Sequence, residues 1–208
     1  MRHDGDPPRD RPAGAATGRV LTAPWQLHAP PEDVAHPGAC HHVLRWSRQY
    51  LCRPHAELGR SGPVCPYAPA AMAQGRVFAA VWPGRPTGLA EVVEGMRDYR
   101  RWFERSCRDG HHALLVLFPG VPGAEGHRLI ERSQRHLKTE FVERGLMVGE
   151  FHDGPPRAAA LHNPAFRPLH CPVPLLAIRD MVRTDLTFLT HPRHRAAYRT
   201  RFAGAGTP

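Results

Sequence analysis

The stretch RVFAAVWPGRPTGLAEVVEGMRDYRRWFERSCRDGHHALLVLFPG, residues 76–120, decides the architecture. Val77 to Trp82 is an apolar run bounded by Gly75 and by Pro83-Gly84, which reads as a strand. Thr87 can then cap a helix that carries Leu89, Val92, Val93, Met96, Tyr99 and Phe103 on one face and runs to about Arg108, before Gly110. Ala113 to Phe118 is a second continuous apolar strand, stopped by Pro119-Gly120. The segment is a strand, a helix and a strand.

The same alternation continues outward. A helix from about Glu125 to Arg144 has Ile130, Leu137 and Phe141 in line, with Gly145 as its stop. Leu146 to Phe151 reads as a third strand and Val173 to Arg179 as a fourth. Upstream, Val43, Trp46, Tyr50 and Leu51 recur at helical spacing over Ala39 to Cys52, and Pro54 ends that helix. Downstream, Thr184 can cap a short helix through Leu189, and His191-Pro192 can start another through Phe202. The expected fold is α+β, one domain over residues 21–203 in which helices flank a central sheet of about four or more strands. Residues 1–20, polar and rich in Asp, Arg, Pro and Gly, read as a disordered tail, and residues 204–208 as a flexible terminus. A Pro-rich connection, Asp153 to Pro172, exceeds the roughly 12 to 15 residues usual for structureless loops. It reads as a functional loop or a packed lid.

Composition narrows the partners. The chain has 208 residues, a formal charge of +9, and Lys138 as the only lysine among its 28 basic residues, which matches GC-rich codon usage better than a nucleic-acid footprint. The one basic cluster, Arg193, Arg195, Arg199 and Arg201, spans a single helix and carries no recognisable nucleic-acid motif. Five cysteines with no C-x-x-C argue against a disulfide framework. No apolar leader and no run near the roughly 18 to 20 residues of a membrane span occur, so a cytoplasmic protein without membrane or nucleic-acid partners is expected. The 15 histidines are the feature that calls for chemistry.

Three braced loops hold the candidate groups. His55-Ala56-Glu57-Leu58-Gly59-Arg60-Ser61-Gly62-Pro63-Val64-Cys65-Pro66 fixes a histidine and a cysteine, both ligand types for iron, on a Gly/Pro backbone; a buried cysteine and a hydrogen-bonded histidine are the competing account. Gly149-Glu150-Phe151-His152-Asp153 closes a strand, with Leu146, Val148 and Glu150 on one face and Phe151 on the other. Glu150 there suits a base, a histidine orienter or a grip on a substrate amine, or an ion pair with Arg179. Leu161-His162-Asn163-Pro164-Ala165-Phe166-Arg167 puts a guanidinium on a constrained turn, as a carboxylate or propionate clamp or as part of a structural turn. His136 flanks the apolar stripe of its helix, facing a pocket or half-buried.

The runs PHAELGRSGPVCPYAP, GLMVGEFHDG, LHNPAFRPLHCPVPLLAIRDMV and DLTFL resemble an uncharacterised bacterial domain family of high-GC organisms, often near natural-product genes, over His55 to Phe202. A more distant likeness is to the YqcI/YcgG family, which includes haem-dependent enzymes that hydroxylate a nitrogen of arginine or related compounds. Cys65, Gln134, Glu150-Phe151, Asn163-Pro164-Ala165 and Arg167 follow that family's order, while Phe166 stands where it has a histidine. The likeness implies haem, with iron held by His152, His162 or His55, in that order. It implies Arg167 or Arg179 on a carboxylate or propionate, Asn163 in the site, and Glu150 on the substrate amine or a proton. The substrate class implied is small and amino-acid-like, the setting a biosynthetic pathway. A non-catalytic small-molecule or partner-binding module is the alternative, and a homodimer stays open.

Overall fold

The structure is a computed structural model. It describes residues 20–121, 123–154, 160 and 163–203. The tail and C-terminal readings, His162 and part of the 153–172 loop fall outside those residues.

Val77–Val81 forms strand β2 and Ala113–Leu117 forms β3, parallel neighbours in register from Val77 with Ala113 to Val81 with Leu117. Every residue of β2 is buried, so the sheet is covered on both faces. Leu89–Ser106 (α3) makes the crossover and buries Val92, Val93, Met96, Tyr99 and Phe103, the stripe that the spacing requires. Gly95 belongs to that stripe because a Cβ there would stand 2.3 Å from the Trp82 ring. The helix starts one residue later than its sequence suggests. Gly88 is the N-cap, while the N–H and hydroxyl of Thr87 both donate to Glu91 Oε2.

Gly123–Glu143 (α4) leads through Gly145, at φ 75°, into Leu146–Phe151 (β4). Leu175–Asp180 (β5) then inserts between β3 and β4, antiparallel to both. It begins two residues late because Pro174 has no N–H to give the ladder. Trp25–Gln26 (β1) pairs antiparallel with β2, and the mixed sheet runs β1-β2-β3-β5-β4.

Helices α3 and α4 pack side by side on one face. Pro37–Trp46 (α1), prolonged by a π-turn through Leu51, covers the other face with Cys40, Val43 and Trp46 in the same core. Ala68–Ala73 (α2) is a short helix that the sequence reading did not assign. Pro192–Phe202 (α5) packs on α4 and adds Tyr198 and Phe202 to a smaller cluster of Val142, Met147, Met181 and Leu189. The α+β architecture is the expected one. Among the described residues no helix is long and apolar enough to cross a membrane.

Candidate functional site

The alternation of β4 distributes its last residues over both faces. Phe151 turns toward α1 and meets Trp46 edge to face at 5.5 Å. Glu150 and His152 therefore face α4, which Gln134 ties to the strand by donating to the Val148 carbonyl at 3.1 Å. Burial raises the Glu150 pKa above its ordinary value, against the opposing pull of its own backbone hydrogen bond and Lys138. A buried carboxyl of this kind keeps its proton to higher pH than a surface one.

His152 is the centre of the site. Its side chain is 1% exposed, and among the described residues neither ring nitrogen has a well-formed hydrogen bond. The ring of His127 from α4 stacks on it with centroids 4.5 Å apart and planes at 16°. Glu131 Oε1 lies 3.5 Å from Nε2, a long contact that favours the charged ring. Asp153 Oδ1 stands 2.6 Å from His127 Nε2. Burial first, and then His127, lower the His152 pKa; Glu131 and Asp153 oppose them in part. Burial thus favours the neutral imidazole. Gly154 is required beside it, because a Cβ there would come within 2.4 Å of His127 Nδ1 and 3.2 Å of His152 Nδ1.

The first and third loops dock on each other. Asn163 Nδ2 donates to the Glu57 carbonyl at 2.7 Å, and its Oδ1 accepts from Ala165 N. The ring of Phe166 stacks on His55 at 4.5 Å, and Leu58, Ala160 and Phe166 form a small cluster against Tyr50. Arg60 ties its own loop by donating to the Ser61, Pro63 and Val64 carbonyls. The loops join the sheet end through Trp46, which donates to the His170 carbonyl, and through the bridge between His152 and His170.

Several expected roles change in this geometry. His55 Nδ1 accepts from Glu57 N at 3.3 Å, capping the short turn that follows it. Asn163 staples two loops. Arg167 Nη1 donates to the carbonyls of Pro164 and Phe166, closing its own turn and leaving the other edge of the guanidinium. Arg179 does not meet Glu150. The antiparallel register sets Glu150 opposite Leu176 and Arg179 opposite Met147, at the other end of the strand. There Asp185 takes both Arg179 amino groups at 2.7 and 2.5 Å and also accepts from Val182 N. Arg179 is a structural tie, and His136 is exposed to solvent.

His127 and Glu131 are the members that sequence reading passed over. Their signal is present: His127 extends the buried line of Ile130, Gln134, Leu137 and Phe141 by one turn, and Glu131 follows it at i+4. Cavities of about 330 and 580 Å³ lie elsewhere, one lined by Arg85, Arg128 and Arg132, the other by Gln26, His28 and Arg48. No group of three or more His, Cys, Asp or Glu among the described residues stands in metal-binding geometry.

A family model for a domain of unknown function, DUF6875, matches residues 40–207, and the chain belongs to that family. No curated protein and no solved structure matches the chain.

Proposed function

We propose that this member of a family of unknown function is a haem-binding, oxygenase-like enzyme of small-molecule biosynthesis, with His152 as the iron ligand. One observation carries the reading: a fully buried imidazole whose two nitrogens both lack a well-formed hydrogen bond among the described residues. Buried polar groups are nearly always satisfied, and one that is not is commonly reserved for a ligand or a reaction. The likeness to haem-dependent N-hydroxylases points to the same end of the sheet.

The donor chemistry fits iron, since a neutral imidazole is an axial ligand type. Both nitrogens are buried and the His127 ring lies stacked on the imidazole, so haem would reach His152 only with His127 swung off it. Bound haem would supply oxygen activation and its transfer to a substrate nitrogen. The chain's own groups do the rest. Asp153 orients His127, Glu150 holds a proton or a substrate amine on the same face as His152, and the free edge of Arg167 receives a carboxylate or propionate.

Titrating the purified protein with haemin tests this. A stoichiometric Soret band that shifts on adding amino-acid-like compounds and is lost in His152→Ala is the expected result. A spectrum equal to free haemin overturns it. The position of the 330 Å³ cavity away from His152 favours the second reading, a non-catalytic small-molecule-binding module. That reading leaves pathway product unchanged in His152→Ala.

A further inference from the structure

The cavity of about 330 Å³ lies between the β2–α3 loop and the first turns of α4. It opens at the carboxyl ends of β2 and β3, just beyond Trp82 and Phe118, where sheets with parallel strands place their ligands. The two loops that shape it are packed rigidly. A Cβ on Gly126 would fall 1.6 Å from the Val121 carbonyl oxygen, and one on Gly120 would fall 2.9 Å from that of Gly84.

Charge inside the cavity is uneven. Arg85, Arg128 and Arg132 line it together with one carboxylate, Glu125, which Arg85 already holds at 2.9 Å. Among the described residues Arg128 and Arg132 have no ion pair or hydrogen bond. They stand at i and i+4 on α4, where like charges face each other and weaken the helix. An anion bridging them replaces that repulsion with charge-assisted hydrogen bonds, for which guanidinium is well shaped. Leu89, Val121 and Leu129 line the same space with apolar surface.

We propose that this cavity binds a small organic dianion, a phosphate monoester or a dicarboxylate, whose charged end bridges Arg128 and Arg132 and whose apolar part lies against Leu89, Val121 and Leu129. The site is separate from His152 and does not depend on the haem reading.

Calorimetry on the full chain with phenyl phosphate and with phenylsuccinate is the test. Saturable binding of either compound is expected, and whichever binds tighter identifies the anion class. Arg128→Ser combined with Arg132→Ser should weaken that binding at least about tenfold, with the fold kept because both side chains are exposed. Arg135→Ser, on the same helix outside the cavity, should leave it unchanged. Absence of saturable binding by both compounds, wild-type affinity in the double variant, or equal weakening by Arg135→Ser overturns the proposal.

Discussion

At the carboxyl end of β5, Arg179 and Asp185 meet through two hydrogen bonds, and Asp185 also takes the Val182 N–H, so the buried carboxylate is fully satisfied. At the opposite end of the sheet, just past β4, His152 is equally buried, and among the described residues its nitrogens have no well-formed hydrogen bond, Glu131 standing 3.5 Å from Nε2. Both regions lie within the stretch matched by the family model: Arg179 and Asp185 in AIRDMV and DLTFL, and His152 in GEFHDG. The difference separates their roles. A satisfied buried pair holds the last segments onto the sheet, whereas an unsatisfied buried imidazole carries a stability penalty, which supports the proposal that something binds or reacts there.

Substitutions sharpen the contrast, the largest effect falling at the satisfied end. Arg179→Met strands the Asp185 carboxylate, 2% exposed, and should destabilise the fold by about 3 kcal/mol. A melting temperature lowered by roughly 10 °C is the readout. A loss under 1 °C would remove the pair from the list of structural ties. Phe166→Ala, which empties the small cluster with Leu58 and Ala160, should cost about 2 kcal/mol in urea denaturation and free the His55 loop to proteolysis. Asn163→Ala removes one staple between half-exposed loops, for about 1 kcal/mol.

The pH dependence comes next in size and has a definite sign. The folded state lowers the His152 pKa below 6.5, so as pH falls through 6.5 the unfolded chain takes up a proton that the folded chain refuses. Stability should drop from about pH 6.5 downward until the folded pKa is reached, with His112 and His194, also lowered by burial, adding in the same direction. Glu150, raised by burial, acts oppositely: its contribution declines as pH rises from 4.5 to its folded value. Denaturation midpoints across pH 5 to 7 should slope less steeply in His152→Leu than in the wild type.

The strands were legible because each is a short apolar run with Gly or Pro at its borders, and β4 matches its sequence reading to the residue. The two-residue β1 was not, since its existence depends on pairing Trp25 with Ala79, more than fifty positions away. α2 was hidden by the prolines around it. At the site, His152 and Glu150 stood out at a strand end, but the register that carries Arg179 away from Glu150 follows from β5 inserting between β3 and β4, which local pattern does not encode. His127 was obscured by the number of histidines. Only the docking of α4 on β4 turns it into the partner of His152.

The claim that His152 is held for a ligand rather than for the fold is tested most directly by urea denaturation of His152→Leu beside the wild type at pH 7. Replacing an unsatisfied buried imidazole with an apolar side chain of similar volume should raise stability by about 1 kcal/mol or more. A variant less stable than the wild type by that amount would mean that His152 holds the structure together, and would contradict the account.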